Sequence, residues 1–192
     1  MLRMVLVRPG ATDFDEQGRI KGTLDIPLSA QGNSEVAQTV SELADVPLEI
    51  VYSAPCQAAD QTAQALASAH KAKVKTLDEL QNLDHGLWHG KLIEEVRQCQ
   101  PKVYRQWLEH PETVCPPGGE TLGEAQERLL AGITRILKKH KTGVVAVVVP
   151  EPAASLVRCL LEESELGNLW KAECDHGGWQ LIEVEPEKVG TV

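Results

Sequence analysis

Residues 144–149 read Val-Val-Ala-Val-Val-Val, six apolar positions in a row without a polar break. A strand that faces water on one side alternates in polarity, so a uniformly apolar one has to be covered on both faces. That is the situation of a central strand in a parallel sheet flanked by helices. The chain supplies further strands and the helices to cover them. Leu2 to Val7 is a second apolar strand, Leu48–Tyr52 and Val74–Leu77 are shorter ones, and Trp179–Val184 is the last strand. Between them Val36, Val40 and Leu43 recur at helical spacing, and Ala58–Ala69 is an alanine-rich helix with Ala59, Ala63 and Leu66 on one face. Pro101 splits the helical stretch 91–109 in two. Thr121 opens the longest helix, which buries Leu122, Leu129, Ile133 and Ile136. Pro152 opens a last one with Leu156, Val157, Leu160 and Leu161 on its apolar face. Alternating strands and helices predict a three-layer α/β/α sandwich on a mostly parallel central sheet.

The chain has 192 residues, 42% of them hydrophobic, enough to bury about 70% of its unfolded surface in one core. A single domain over 1–186 with a loose 187–192 tail is expected. The formal net charge is −9. That acidity argues against nucleic acid or an anionic membrane as partner, and against anionic substrates unless a local basic pocket overrides it. Five scattered cysteines with no Cys-x-x-Cys pair predict reduced thiols, and the N-terminus runs straight into a strand without a signal-peptide h-region, so a cytoplasmic location is expected.

After the first strand come Arg8-Pro9-Gly10-Ala11-Thr12, then Gly18-Arg19-Ile20-Lys21-Gly22 and Asp25-Ile26-Pro27-Leu28-Ser29. Ser53-Ala54-Pro55-Cys56-Gln57-Ala58-Ala59-Asp60-Gln61-Thr62-Ala63 opens the alanine-rich helix, and Leu80-Gln81-Asn82 leads to Gly86-Leu87-Trp88-His89-Gly90. Pro116-Pro117-Gly118-Gly119-Glu120-Thr121 precedes the long helix, and the valine strand runs into Pro150-Glu151-Pro152. In order and spacing this resembles the histidine phosphatase (phosphoglycerate mutase-like) superfamily along nearly the whole chain. The resemblance implies that superfamily's fold, and it implies four functional positions at which this sequence departs. Pro9 stands where the family's phosphoryl-accepting histidine is expected, Ala58 in place of an arginine, Asn82 in place of the proton-donating glutamate, and Glu151 in place of the second histidine. Proline offers no nucleophilic atom and a neutral amide no useful acid at pH 7.

The resemblance therefore implies a degenerate member: a catalytically inactive binding or interaction module with no catalytic residues and no cofactor, whose partner is an unknown protein or small molecule. The alternative is a phosphomonoester phosphatase or phosphoglycerate mutase-like enzyme with an altered mechanism. A third option is a remodelled pocket for a neutral or cationic small molecule. Candidate ligand-binding residues are Arg8, Thr12, Arg19, Lys21, Asn82 and His85. Thr12 shows no evident base in the sequence, and for Arg19 and Lys21 the bland alternative is solvated loop charge. An Arg8–Glu151 pair would turn an active site into a structural bridge. His85 and His89 are four apart, a metal-binding spacing on a helix, but Gly86 and Gly90 interrupt the segment, so a loop is expected and no metal site.

Overall fold

The computed structural model describes residues 1–185 and Val189, so most of the expected loose tail lies outside the described residues. Five strands, β1 (Leu2–Val7), β2 (Ile50–Ser53), β3 (Lys73–Thr76), β4 (Gly143–Val148) and β5 (Trp179–Val184), form one sheet in the order β3-β2-β4-β1-β5. All neighbours are parallel except β5, which runs antiparallel beside β1. The valine strand lies at the centre, as its composition requires, with Val144 to Val148 essentially free of solvent contact. The edges carry the polar residues: β3 exposes Lys73, Lys75 and Thr76, and β5 exposes Gln180 and Glu183 beside the apolar Leu181. Charged edges of this kind discourage further strand pairing.

Eight α-helices are present among the described residues: α1 (Asp13–Gln17), α2 (Ala30–Glu42), α3 (Gln57–His70), α4 (Ile93–Cys99), α5 (Pro101–Glu109), α6 (Leu122–Lys139), α7 (Ala153–Glu162) and α8 (Leu169–Ala172). The sheet is the middle layer of a three-layer α/β/α sandwich, with α3 on β2, β3 and β4 and α7 on β1 and β5. Pro101 separates α4 from α5 at the expected point. Thr121 caps α6, its hydroxyl accepting from the Glu124 amide while the Glu124 carboxylate accepts from the Thr121 amide. Trp88, Trp107 and Trp170 are buried in one aromatic cluster that Tyr104 extends, its ring stacked on Trp170 at 5.0 Å. The fourth tryptophan, Trp179, is half-buried at the start of β5.

The turn after β1 depends on one close approach. A β-carbon on Gly10 would run into the Gly32 carbonyl, and one on Gly32 into the Ala11 carbonyl. The start of α2 therefore rests directly on the backbone of the first turn. Ser29, the α2 cap, tightens the join by donating its amide to the Ala11 carbonyl at 2.9 Å.

Among the described residues no helix is long and apolar enough to cross a membrane.

Gly32→Ala has to push α2 off this turn and is expected to destabilise the protein by about 1–3 kcal/mol in urea unfolding. Gly123→Ala is the contrast. It lies in α6, where a β-carbon would meet nothing closer than 4.0 Å, and it should be neutral or stabilising by up to about 1 kcal/mol.

Candidate functional site

Parallel strands of an open α/β sheet end at a crevice, and β1 and β4 end together here. Val7 pairs with Val148, and the Val149 amide donates to the Val7 carbonyl at 3.0 Å. Arg8-Pro9 and Pro150-Glu151 therefore leave the sheet side by side. Because β5 is antiparallel, its first residue, Trp179, lies opposite Val7. That brings Asp175, His176 and the Gly177-Gly178 pair to the same edge. The Arg8 amide donates to the Gly178 carbonyl, and the Gly177 amide to the Pro9 carbonyl.

Glu151 sits in this crevice at 4% exposure. Its Oε2 accepts from the Ser155 amide at 3.1 Å and the Ser155 hydroxyl at 2.8 Å, so the carboxylate caps the start of α7. Its Oε1 lies 3.8 Å from Arg8 Nη1. Arg8 is equally far from Asp175, and its Nε donates to the Gly177 carbonyl at 2.8 Å. The pair anticipated from the sequence is thus a long contact shared between two carboxylates. Burial pushes the Glu151 pKa up, and the bonds from Ser155 and the Arg8 charge offset this only in part.

Asn82 completes the cap. Its Nδ2 donates to the Gly22 and Glu151 carbonyls at 3.1 and 2.9 Å, and its Oδ1 accepts from the Ala153 amide at 3.2 Å. The Ala154 amide is taken by the Pro150 carbonyl. All three opening amides of α7 thus have internal acceptors, at the place where a helix would otherwise offer N–H groups to an anion.

Pro9, Thr12, Lys21, Ala58, Glu151 and His176 are among the residues that bound the crevice, and the space left is about 20 Å³, of the order of one water molecule. Two expectations need correcting. Lys21 is not a solvated loop charge. It is buried, with Nζ bonded to Asp15 Oδ1 at 2.7 Å and the Glu173 carbonyl at 2.8 Å. Burial works against its charge, but Asp15 and Glu173 outweigh that and its pKa is raised. Thr12 does have a carboxylate neighbour: its hydroxyl donates to Asp15 Oδ2 at 2.9 Å within the α1 capping box.

Of the other candidates, Arg19 bonds the Gly90 carbonyl and Gln17. His85 is buried away from the crevice lining, with Nε2 3.1 Å from Glu173 Oε2. His89 Nε2 accepts from the His85 and Thr23 amides at 3.1 and 3.2 Å. Its pKa is lowered by burial and then by His85, which suits an unprotonated acceptor.

Asp175, His176 and Glu35 had not been singled out from the sequence. His176 Nδ1 lies 2.8 Å from Glu35 Oε2, which also accepts from the Ala11 amide. The antiparallel direction of β5 brings Asp175 and His176 here, and no local pattern signals that direction; Glu35 comes from α2.

A profile of the histidine phosphatase superfamily (branch 1) matches residues 4–192. The chain belongs to that superfamily. Phosphoserine phosphatase 1 of Hydrogenobacter thermophilus is 30% identical over 188 residues, covering 98% of this chain and 89% of that protein. The adenosylcobalamin/alpha-ribazole phosphatase of Escherichia coli is 23% identical over 183 residues, covering 95% and 90%. Among solved structures, Bacillus stearothermophilus YhfR has a TM-score of 0.85 at 24% identity, covering 96% of this chain and 92% of that one. A putative alpha-ribazole-5'-P phosphatase from Escherichia coli has a TM-score of 0.77 at 23% identity, covering 94% and 89%. Both structures support the superfamily's phosphoglycerate mutase-like fold.

In this histidine phosphatase fold Glu151 carries a pH signature. Its folded pKa lies above the ordinary 4.5, so folding favours the protonated acid. The group's contribution is best below that ordinary value and is lost as pH rises through the folded pKa. Glu151→Gln keeps an acceptor for Ser155 and removes the titration. In urea unfolding at pH 5 and pH 8, the variant should gain stability relative to wild type at the higher pH. A gain confined to the lower pH would mean that the Arg8 pair outweighs the burial.

Proposed function

We propose that this chain is a histidine phosphatase superfamily member in which the phosphohistidine route is closed, and that it works by binding. The carrying observation is the filled crevice. Pro9 follows Arg8 at the end of β1, Glu151 and Asn82 occupy the N-terminus of α7, and about 20 Å³ remains between them. In-line phosphoryl transfer needs a nucleophile, room for the transferred group and a field that favours its negative charge. Pro9 supplies no nucleophile. Cys56 borders the space, but burial raises its thiol pKa, which works against the thiolate. Cys174 is pushed further, to about 12, again by burial. Glu151 and Asp175 put carboxylates where a phosphate would bring more negative charge.

The second reading is a phosphomonoester phosphatase with an altered mechanism. The relatives' names, phosphoserine phosphatase and alpha-ribazole phosphatase, favour this phosphatase-like reading over an inactive one. Two side-chain sets bordering the crevice give it material: Thr12 with Asp15 and Lys21, and His176 held by Glu35. Against it, Thr12 and Asp15 are already engaged in capping α1.

The purified chain is expected to show no turnover of an aryl phosphate, O-phosphoserine or a phosphoglycerate above a heat-killed control, and to form no phosphohistidine. Pro9→His alone should not restore activity, because Ala58, Asn82 and Glu151 remain and catalytic groups act as a unit. Turnover by the wild type that is abolished by Thr12→Val or His176→Gln would establish the second reading instead.

A further inference from the structure

Next to the filled crevice is an open groove of about 350 Å³ between α7, α8 and the start of β5. Arg8 lines the groove whereas Pro9 lines the crevice, and Glu151 and Asp175 stand between them, lining both. Leu6, Leu169 and Trp179 give the groove apolar walls. Its size suits a small molecule.

Three cations line it. Arg8 spends only Nε on a hydrogen bond, and the carboxylates near its outer nitrogens lie 3.8 Å away, beyond hydrogen-bond reach. Arg158, half-buried on α7, and Lys171, exposed on α8, have no hydrogen bond or ion pair from the side chain among the described residues. Glu162, one helical turn beyond Arg158, is taken by Gln180 Nε2 at 2.7 Å. What sets these cations apart is the groove they share, since Arg3 and Arg105 are likewise without an ion pair among the described residues. A half-buried guanidinium keeps five donors that call for acceptors.

We propose that this groove binds a compact metabolite through its oxyanion groups, phosphate or carboxylate. Arg8 and Arg158 present planar forks suited to oxyanions, and Lys171 adds a point charge. Asp175 and Glu151, at the crevice end, are placed to accept from a hydroxyl or ammonium on the same ligand. The site does not use Pro9 and is independent of whether the crevice is catalytic.

The test is isothermal titration with O-phosphoserine, which carries phosphate, carboxylate and ammonium, and with citrate, which carries carboxylates only. At least one should bind at millimolar concentration or below in low salt. Affinity should fall by about tenfold or more as salt shortens the screening length from about 30 Å to about 10 Å. Binding of O-phosphoserine alone would assign the phosphate source, and binding of citrate the carboxylate source. The double variant Arg158→Ala/Lys171→Ala should weaken binding by about tenfold or more, a loss equivalent to about 1.4 kcal/mol. Arg97→Ala, on exposed α4, should not. Amide NMR shifts on ligand addition should fall on Arg158 and on residues 168–172. Should the double variant not fold, Arg158→Gln replaces it with the same expected loss. Absence of binding by both ligands, a smaller loss in the variant, or shifts centred on Gly10, Thr12 and Gly22 would overturn the proposal.

Discussion

Val7 and Val148 face each other at the ends of two buried parallel strands, and that pairing decides what can meet at the crevice. Once the ladder holds Leu2 to Val7 against Gly143 to Val148, Arg8 and Glu151 must emerge together. The antiparallel β5 then returns the 175–178 loop to the same edge. A slip of one residue would turn the side chains of β4 to the opposite faces. The uniformly apolar character of β4 tolerates such a slip in polarity, so register has to come from elsewhere. The contacts beyond the strands supply it: the Val149 amide on the Val7 carbonyl, the Gly177 amide on the Pro9 carbonyl, and the backbone approach of Gly10 to Gly32.

The crevice built on that ladder is closed by charges that the chain itself provides. Burying Lys21 is tolerable because Asp15 and the Glu173 carbonyl meet its ammonium within 2.8 Å. Glu151 is less well served. Its nearest cation is 3.8 Å away and 38% exposed at the side chain, so the two bonds from Ser155 carry most of the compensation. A buried charge held mainly by neutral donors keeps a desolvation penalty, which is why its pKa rises despite the arginine beside it.

The layers of the fold were legible because long apolar runs and helical spacing are local properties. β1, β4, β5, α3 and α6 follow directly from them, as does the break at Pro101. α1 and α8 escaped because five and four residues are too few to show a helical period. Arg8, Pro9, Ala58, Asn82 and Glu151 were found through motif order, and the structure gathers them at one edge of the sheet or beside it. The partners that give them meaning were not legible. Lys21 meets Glu173 across 152 positions and His176 meets Glu35 across 141. Such pairs depend on strand direction, and the sequence pattern of β5 is the same whichever way it runs.

Asn82 is a structural residue at the entrance to α7. Its amide donates to two carbonyls and accepts from one helix amide, a combination that a carboxylate cannot reproduce. An ionised acid there would set oxygen against the Gly22 and Glu151 carbonyls in a buried space, where an unmet acceptor is costly. The amide thereby ties three segments together: the loop at Gly22, the turn at Glu151 and the start of α7. An acid at position 82 would disturb the cap, and the cap in turn holds Glu151. Asn82 and Glu151 are therefore physically coupled through α7: the amide of one fixes the turn at which the other buries its carboxylate, and a change at either has to rebuild the helix entrance.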